Sequence, residues 1–259
     1  MSAARAVRLL AVGWWFHVKI ISRSAFDSFL AILWPLFFAT VAFFMFRAGA
    51  GPNSLVYASL GSAVMGVWTA TSVTAGSALQ RQRWHGTLEL LASAPVHFAL
   101  ILLPMTLATS AIGLYCVAST LLWGRLVFGI ALHIVHPLLF GVAILVTIAA
   151  IGMLGFLLAV AFVRYRTAWA LGAASEYPVW LVCGFLVPIS LLPDWVRPIS
   201  WALAPTWGMQ AIREAAGGGT PLPDALVCLA LGGVYVAIGI LVLDRVLRAA
   251  RVRAALSLT

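Results

Sequence analysis

A short polar segment between two long apolar stretches carries the residues best suited to bind a partner. Residues 80–95 read Gln-Arg-Gln-Arg-Trp-His-Gly-Thr-Leu-Glu-Leu-Leu-Ala-Ser-Ala-Pro. Gly86 is expected to end the preceding helix, Thr87 to cap a new one, and Glu89 to lie in its first turn, where the helix dipole favours an anion. Pro95 disfavours helical backbone at the residue before it, so the new helix spans about two turns. The pattern predicts a short surface helix that contacts a partner in water; an ordinary solvated loop is the alternative.

Catalytic chemistry finds little support elsewhere in the chain. Lys19 is the only lysine and is followed by Ile20, so a phosphate-binding loop that ends in Lys-Ser or Lys-Thr is impossible. The three cysteines, Cys116, Cys183 and Cys228, fall within apolar stretches, which argues against a disulfide framework or a metal site. We therefore expect no catalytic site, no metal site and no cofactor in this chain.

The composition indicates a protein that crosses a membrane several times. Of 259 residues, 63% are hydrophobic and 9% are charged, with a mean hydropathy of +1.06. These values exclude a soluble globular domain. The net charge of +9 fits basic cytoplasmic loops facing anionic lipid, and no basic run with interleaved aromatic residues suggests nucleic acid.

The hydropathy pattern predicts an all-α polytopic membrane protein with six transmembrane helices. The predicted spans lie near residues 28–46, 55–78, 98–122, 136–162, 168–191 and 223–243. Residues 1–25 predict an amphipathic interfacial helix, with continuation into the first span as the alternative. The prolines and tryptophans of residues 192–221 predict short re-entrant or interfacial helices before the last span.

The distribution of lysine and arginine predicts the orientation. With a cytoplasmic N-terminus, the inner side carries twelve of these residues and the outer side four. The inner set is Arg5, Arg8, Lys19, Arg23, Arg81, Arg83, Arg164, Arg166, Arg245, Arg248, Arg251 and Arg253; the outer set is Arg47, Arg125, Arg197 and Arg213. This bias predicts that both termini and the 80–95 segment are cytoplasmic.

Two segments resemble one family. The run Gly86-Thr87-Leu88-Glu89-Leu90-Leu91, with Ser93 and Pro95 after it, resembles the cytoplasmic coupling-helix segment of type-2 ABC-transporter permeases. Residues 188–198, followed by Pro205-Thr206-Trp207 and Arg213, resemble the segment that precedes the last span in that family. The chain departs from the family at Gln80 and Gln82, where acidic residues are usual.

The resemblance implies a function and a set of partners. The chain would be one permease domain, residues 1–259, of an ATP-driven exporter of drugs or lipid-like, amphipathic substrates in the cytoplasmic membrane. A separate ATPase subunit would bind ATP and Mg, and a second permease chain, identical or paralogous, would complete the pathway. The predicted contacts with the ATPase subunit are Gln80, Arg81, Arg83, Gly86, Thr87, Leu88, Glu89 and Leu91.

Polar residues within the predicted spans are candidates for a substrate pathway. Glu176 lies inside the fifth span and shares a helical face with Trp180; an intramembrane carboxylate is costly and often functional. Ser62 and Thr69 belong to a stripe of small and hydroxyl residues in the second span, which indicates either close helix packing or a polar pathway wall. The resemblance implies that these two spans line the route, so that Glu176 and the stripe face one another across a dimer. The alternative functions are a proton-coupled secondary transporter that uses Glu176, and an assembly protein that recruits partners without transport.

Overall fold

Helices form the architecture throughout the part of the chain that the structure describes. The computed structural model describes residues 3–23, 25–47, 52–84, 86, 96–130, 133–162 and 168–253. The helices are α1 (Ala3–Arg23), α2 (Ala25–Arg47), α3 (Pro52–Trp84), α4 (Ala99–Ala111), α5 (Gly113–Phe128), α6 (Pro137–Phe162), α7 (Ala168–Ala174), α8 (Glu176–Val182), α9 (Arg197–Trp201), α10 (Ala204–Gly217) and α11 (Pro221–Arg253). These ranges contain no strand, which confirms the all-α fold class.

Three helical segments among the described residues are long and apolar enough to cross a membrane. They are Ala99–Phe128, which joins α4 and α5, Pro137–Ala161 in α6, and Pro221–Arg245 in α11. A shorter apolar stretch, Pro35–Phe46, lies in α2. The count of six spans therefore stays a prediction, although membrane-spanning helices are present.

The fifth predicted span, residues 168–191, is helical only as far as Val182. Its residues form α7 and α8, and an irregular stretch with a 3-10 turn at Ile189–Leu191 follows. Pro178 has no N–H to donate to the carbonyl four residues earlier, so the helical ladder loses a hydrogen bond there. Helical hydrogen bonds nevertheless continue across Ser175, which separates α7 from α8: its amide donates to the Leu171 carbonyl at 3.1 Å, and its carbonyl accepts from the Val179 amide at 3.3 Å.

The amphipathic helix at the N-terminus forms α1 and packs along α4. A Cβ added to Gly13 would lie 3.2 Å from the Cβ of Pro104, and Trp14 Nε1 donates to the Leu107 carbonyl at 3.3 Å. The absence of a side chain at Gly13 thus allows the two helices to approach closely. All four cations of α1 are exposed: Arg5, Arg8, Lys19 and Arg23. The junction with α2 at Ser24 lies outside the described residues.

Two sets of contacts define the ends of the bundle. At one end, which we call the His97 end, His97 contacts Asp244 near the end of α11. At the other end, which we call the α10 end, the amides of Val135 and His136 donate to two carbonyls at the end of α10. The lysine and arginine count predicts that the His97 end is cytoplasmic.

The main hydrophobic core joins α3, α6, α10 and α11 with the loop after α8. Trp68, Ile151 and Met209 are among its largest fully buried side chains. A Cβ at Gly208 would lie 2.5 Å from Thr147 Oγ1, so α10 meets α6 where a glycine leaves room. The short helices predicted within residues 192–221 are confirmed as α9 and α10, and α10 is held in this core.

Tyr235 fastens the connection between α9 and α10 to α11, and its hydroxyl is the basis of a stability prediction. The hydroxyl donates to the Ala202 carbonyl at 2.6 Å and accepts from the Ala204 amide at 2.9 Å. Because Tyr235→Phe leaves both backbone groups without this partner, we expect it to destabilise the protein by about 1–3 kcal/mol. Thermal unfolding of the purified chain in detergent measures the loss. Tyr115→Phe, at an exposed position, is the control, and equal melting temperatures for the two variants would contradict the assignment.

Candidate functional site

Helix α3 ends within residues 80–95, which we call the docking segment, as the sequence predicts. The backbone of Gln80, Arg81 and Arg83 belongs to the last turns of α3, which ends at Trp84. Gly86 follows with a φ of 66°, a left-handed conformation that favours glycine and is typical of a helix C-terminus. The expectation that Gly86 ends the preceding helix is therefore confirmed. The rest of the predicted contact set, Thr87, Leu88, Glu89 and Leu91, lies outside the described residues.

The chain that follows the docking segment is fixed to the last helix. His97 Nε2 lies 2.8 Å from Asp244 Oδ1, and both side chains are about half-exposed. Next to this pair, Phe98 and Leu102 share a buried cluster with Leu243. The start of α4 and the residue before it therefore contact α11. This pair is not recognisable from the sequence, because 147 positions separate His97 from Asp244 and neither residue lies in a recognisable motif.

Inside the bundle the structure brings together two of the predicted pathway residues. Thr69 Oγ1 donates to Glu176 Oε1 at 2.5 Å, and Glu176 is only 8% exposed. Glu176 is the first residue of α8, directly after Ser175. The contact joins α3 to the predicted fifth span within one chain. A contact between Glu176 and the stripe of a second chain stays a prediction.

The other two pathway candidates are placed differently. Ser62 is buried, and its hydroxyl donates to the Ala58 carbonyl of its own helix at 2.7 Å. Trp180 is 8% exposed and packs edge-on against Phe38 and Tyr177, with ring centroids 5.1 Å apart in each pair. Among the described residues its indole N–H finds no acceptor. Trp180 thus lies one helical turn from Glu176 with an unused donor, whereas Ser62 has its donor satisfied.

The stripe of small residues on α3 serves close packing over part of its length. A Cβ at Gly66 would lie 2.7 Å from Pro35 Cγ and 3.1 Å from the Cβ of Cys116. At Gly61 a Cβ would lie 1.8 Å from the carbonyl oxygen of Phe185. The close-packing interpretation therefore applies at these glycines, which permit tight contacts with α2, α5 and the loop after α8. The interpretation as a polar pathway wall stays a prediction.

Comparison with known families decides what kind of protein carries this arrangement. The family model described as ABC-2 type transporter matches residues 62–216. The chain belongs to the ABC-2 type transporter family. The match begins within α3, includes the 80–95 segment and the Thr69–Glu176 contact, and ends in the last turn of α10. No curated protein matches the chain.

Membership in the ABC-2 family assigns a general function. The domain is a transport permease embedded in the membrane and is not itself catalytic. The type-2 permease resemblance drawn from the 86–95 and 188–213 segments is thereby confirmed.

Proposed function

We propose that this chain is the permease subunit of an ATP-driven exporter that moves drugs or lipid-like, amphipathic substrates across the cytoplasmic membrane. The family match over residues 62–216 carries the proposal. The single lysine, Lys19, lies outside any phosphate-binding motif, so a separate ATPase subunit would bind ATP and Mg. Both termini would be cytoplasmic, as the charge bias predicts.

The proposed coupling element is the 86–95 segment, and the length of α3 supports this role. At 1.5 Å per residue, the 33 residues of α3 extend about 50 Å, whereas the hydrocarbon core is about 30 Å thick. The end of α3 therefore projects beyond the membrane on the side of the docking segment. A push by the ATPase subunit would tilt α3 and change its contact with Glu176.

A second permease chain would pair with this one, and exposed apolar side chains support the pairing. Large apolar residues on α2 and α8 are exposed in the single chain: Phe29, Leu33, Phe37, Val41, Phe44, Tyr177 and Leu181. Lipid covers such side chains equally well, so they permit a paired assembly without fixing its geometry. The amphipathic substrate class fits a pathway that begins and ends at the membrane interface.

Recruitment of the ATPase subunit tests the proposal. The tagged chain is co-expressed with a candidate ATPase subunit, and co-purification in detergent and ATP hydrolysis are measured. Leu88→Asp places a charge in the apolar part of the docking surface, and we expect co-purification to fall more than tenfold, since a buried anchor contributes about 2 kcal/mol or more. Glu89→Arg, at the polar rim, should reduce it only a few-fold.

The control is a charge reversal at an acidic residue that we predict to lie on the outer side of the membrane. Asp194 is exposed and forms an ion pair with Arg197 at 3.1 Å; Asp194→Arg should leave co-purification unchanged. A stable Leu88→Asp chain that retains its ATPase subunit would exclude docking through this segment. A stable wild-type chain that binds and stimulates no candidate ATPase subunit would argue against ATP-driven transport.

The Thr69–Glu176 contact supports an alternative function, that of a proton-coupled transporter. A carboxyl group that is 8% exposed and lies within a predicted membrane span can exchange a proton as its surroundings change. Transport that follows an imposed pH gradient in vesicles without ATP would support this function. Dependence on ATP and the partner subunit at constant pH would exclude it.

A further inference from the structure

Arg213 of α10 is held at the α10 end by two other parts of the chain, α3 and the loop after α8. Its Cζ lies 3.4 Å from the centroid of the Tyr57 ring on α3. Its Nη2 donates to the Phe185 carbonyl, in the loop after α8, at 2.8 Å. The Tyr57 hydroxyl in turn donates to the Gly184 carbonyl at 3.0 Å. The guanidinium therefore has one face against an aromatic ring and one edge against a backbone carbonyl.

The positive charge of Arg213 has no carboxylate partner within the described residues. The ion pairs there join His97 with Asp244 and Arg197 with Asp194, and Arg213 takes part in neither. Its Nε–H is buried without an acceptor in the same part of the chain. Burial lowers the pKa of Arg213 to about 10, while the neighbouring Tyr57 opposes that change, so the side chain stays protonated at neutral pH. A cation with unused donors is thus kept at the junction of α3, α8 and α10.

The protein contacts offset only part of the cost of this burial. The protein supplies one cation–π contact and one hydrogen bond from the charged group, each of which stabilises the cation only modestly. Removing a guanidinium from water without a counter-charge costs more than such contacts return. Arginine presents five donors in a planar fork that matches phosphate and carboxylate groups. An anion beside Arg213 would supply the missing counter-charge and an acceptor for the remaining donors.

We propose that Arg213, with Tyr57 beside it, is a binding subsite for a phosphate-type anion at the α10 end of the permease. The proposal rests on the proposed function in one respect: the anion is the headgroup of an amphiphile that reaches or leaves the pathway. Tyr57 restricts the guanidinium to one plane, and the Phe185 carbonyl fixes its rotation, so the donor fork is oriented before the anion arrives. A purely structural clamp between α3 and α10 is the competing explanation, and it requires no anion.

Binding is measured on the purified chain in uncharged detergent, by thermal unfolding against increasing ligand. The probes are short-chain phosphatidylglycerol, short-chain phosphatidylcholine and inorganic phosphate. We expect phosphatidylglycerol to raise the melting temperature at lower concentrations than phosphatidylcholine. In Arg213→Gln the concentration needed should rise more than tenfold. Arg125→Gln, which removes an exposed cation in the last turn of α5, should respond as the wild type does.

The arms of the experiment separate the possible sources and the competing explanation. Equal stabilisation by inorganic phosphate, lost in Arg213→Gln, would assign the subsite to a free anion instead of a headgroup. A wild-type chain that does not distinguish the anionic lipid from the zwitterionic one would overturn the proposal. The same holds if Arg213→Gln lowers the melting temperature in detergent but responds to phosphatidylglycerol with unchanged affinity, since that is the result of a clamp.

A second measurement uses the wild-type chain, so its result does not depend on whether Arg213→Gln folds. A photoreactive phosphatidylglycerol, cross-linked and mapped by mass spectrometry, should label peptides that contain Tyr57 or Arg213, and labels confined to other peptides would overturn the proposal. Neither assay needs an ATPase subunit or transport. A chain that recruits no ATPase subunit yet binds the anion at Arg213 therefore contradicts only the proposed function, and the reverse result contradicts only this inference.

Discussion

Gly61→Ala is expected to prevent most of the chain from accumulating as a folded protein. An added Cβ would lie 1.8 Å from the Phe185 carbonyl oxygen and 2.8 Å from its carbon, and a backbone group cannot rotate away as a side chain can. The same carbonyl accepts the hydrogen bond of Arg213, so a shift of the loop would break that contact as well. Overpacking at a site that cannot relax costs about 3 kcal/mol or more, which is a large share of the stability of most proteins.

The measurement is the yield of monodisperse protein in detergent together with its melting temperature. Gly233→Ala is the matched control: Gly233 lies within α11, and no atom is within 4 Å of its added Cβ. Alanine has the higher helix propensity, by up to about 1 kcal/mol, so this control should be neutral or stabilising. A Gly61→Ala chain as abundant and as stable as the control would show that α3 and the loop after α8 do not pack this closely.

If the proposed function holds, Glu176→Ala is expected to lower substrate-stimulated ATP hydrolysis by the permease reconstituted with its ATPase subunit by about tenfold. The change removes the acceptor for the Thr69 hydroxyl, and a hydrogen bond to a charged group contributes about 1.5–3 kcal/mol. This bond holds α8 against α3, the helix that leads to the docking segment, so its loss should weaken the link between the ATPase subunit and the interior. Thr69→Val removes the donor and should produce a similar loss.

Two further variants separate positioning from charge. The double variant Thr69→Val, Glu176→Ala should cost little more than either single change, because both remove the same contact. Glu176→Gln keeps an acceptor for Thr69 and should retain activity within about fivefold, since a neutral hydrogen bond loses only about 1 kcal/mol relative to a charged one. Activity abolished in Glu176→Gln but kept in Thr69→Val would instead show that Glu176 carries a proton or contacts a cationic substrate.

The comparison of sequence and structure is clearest at the fifth predicted span. Hydropathy identified residues 168–191 as apolar, but it did not show that the helix ends at Val182. Pro178 was visible in the sequence, yet a proline within a membrane helix can also be accommodated by a kink. The surrounding contacts determined the result: Glu176 bonds to Thr69, and the loop after α8 packs on Gly61.

Some residues of the candidate site could be recognised from the sequence, and others could not. Glu176, Thr69 and Gly86 were recognisable because a carboxylate, a hydroxyl stripe and a glycine between helices are local features of the sequence. The pairs His97–Asp244 and Tyr57–Arg213 were not recognisable, because their members lie on different helices and share no motif. Arg213 was noted in the sequence only as an outer cation and as part of the segment before the last span.

The sequence by itself determined the fold class, the transport family and the position at which α3 ends. The fold class and the end of α3 follow from local quantities, the length of apolar runs and a glycine between helical patterns, whereas the family follows from the resemblance of two short segments, 86–95 and 188–213. Only the tertiary structure decided which polar groups meet, since a hydrogen bond such as Thr69–Glu176 or a stacking contact such as Arg213 on Tyr57 depends on how distant helices pack. Helix packing is set by many small steric contacts at once; among the glycines that the structure describes, Gly61 leaves the least room for a side chain.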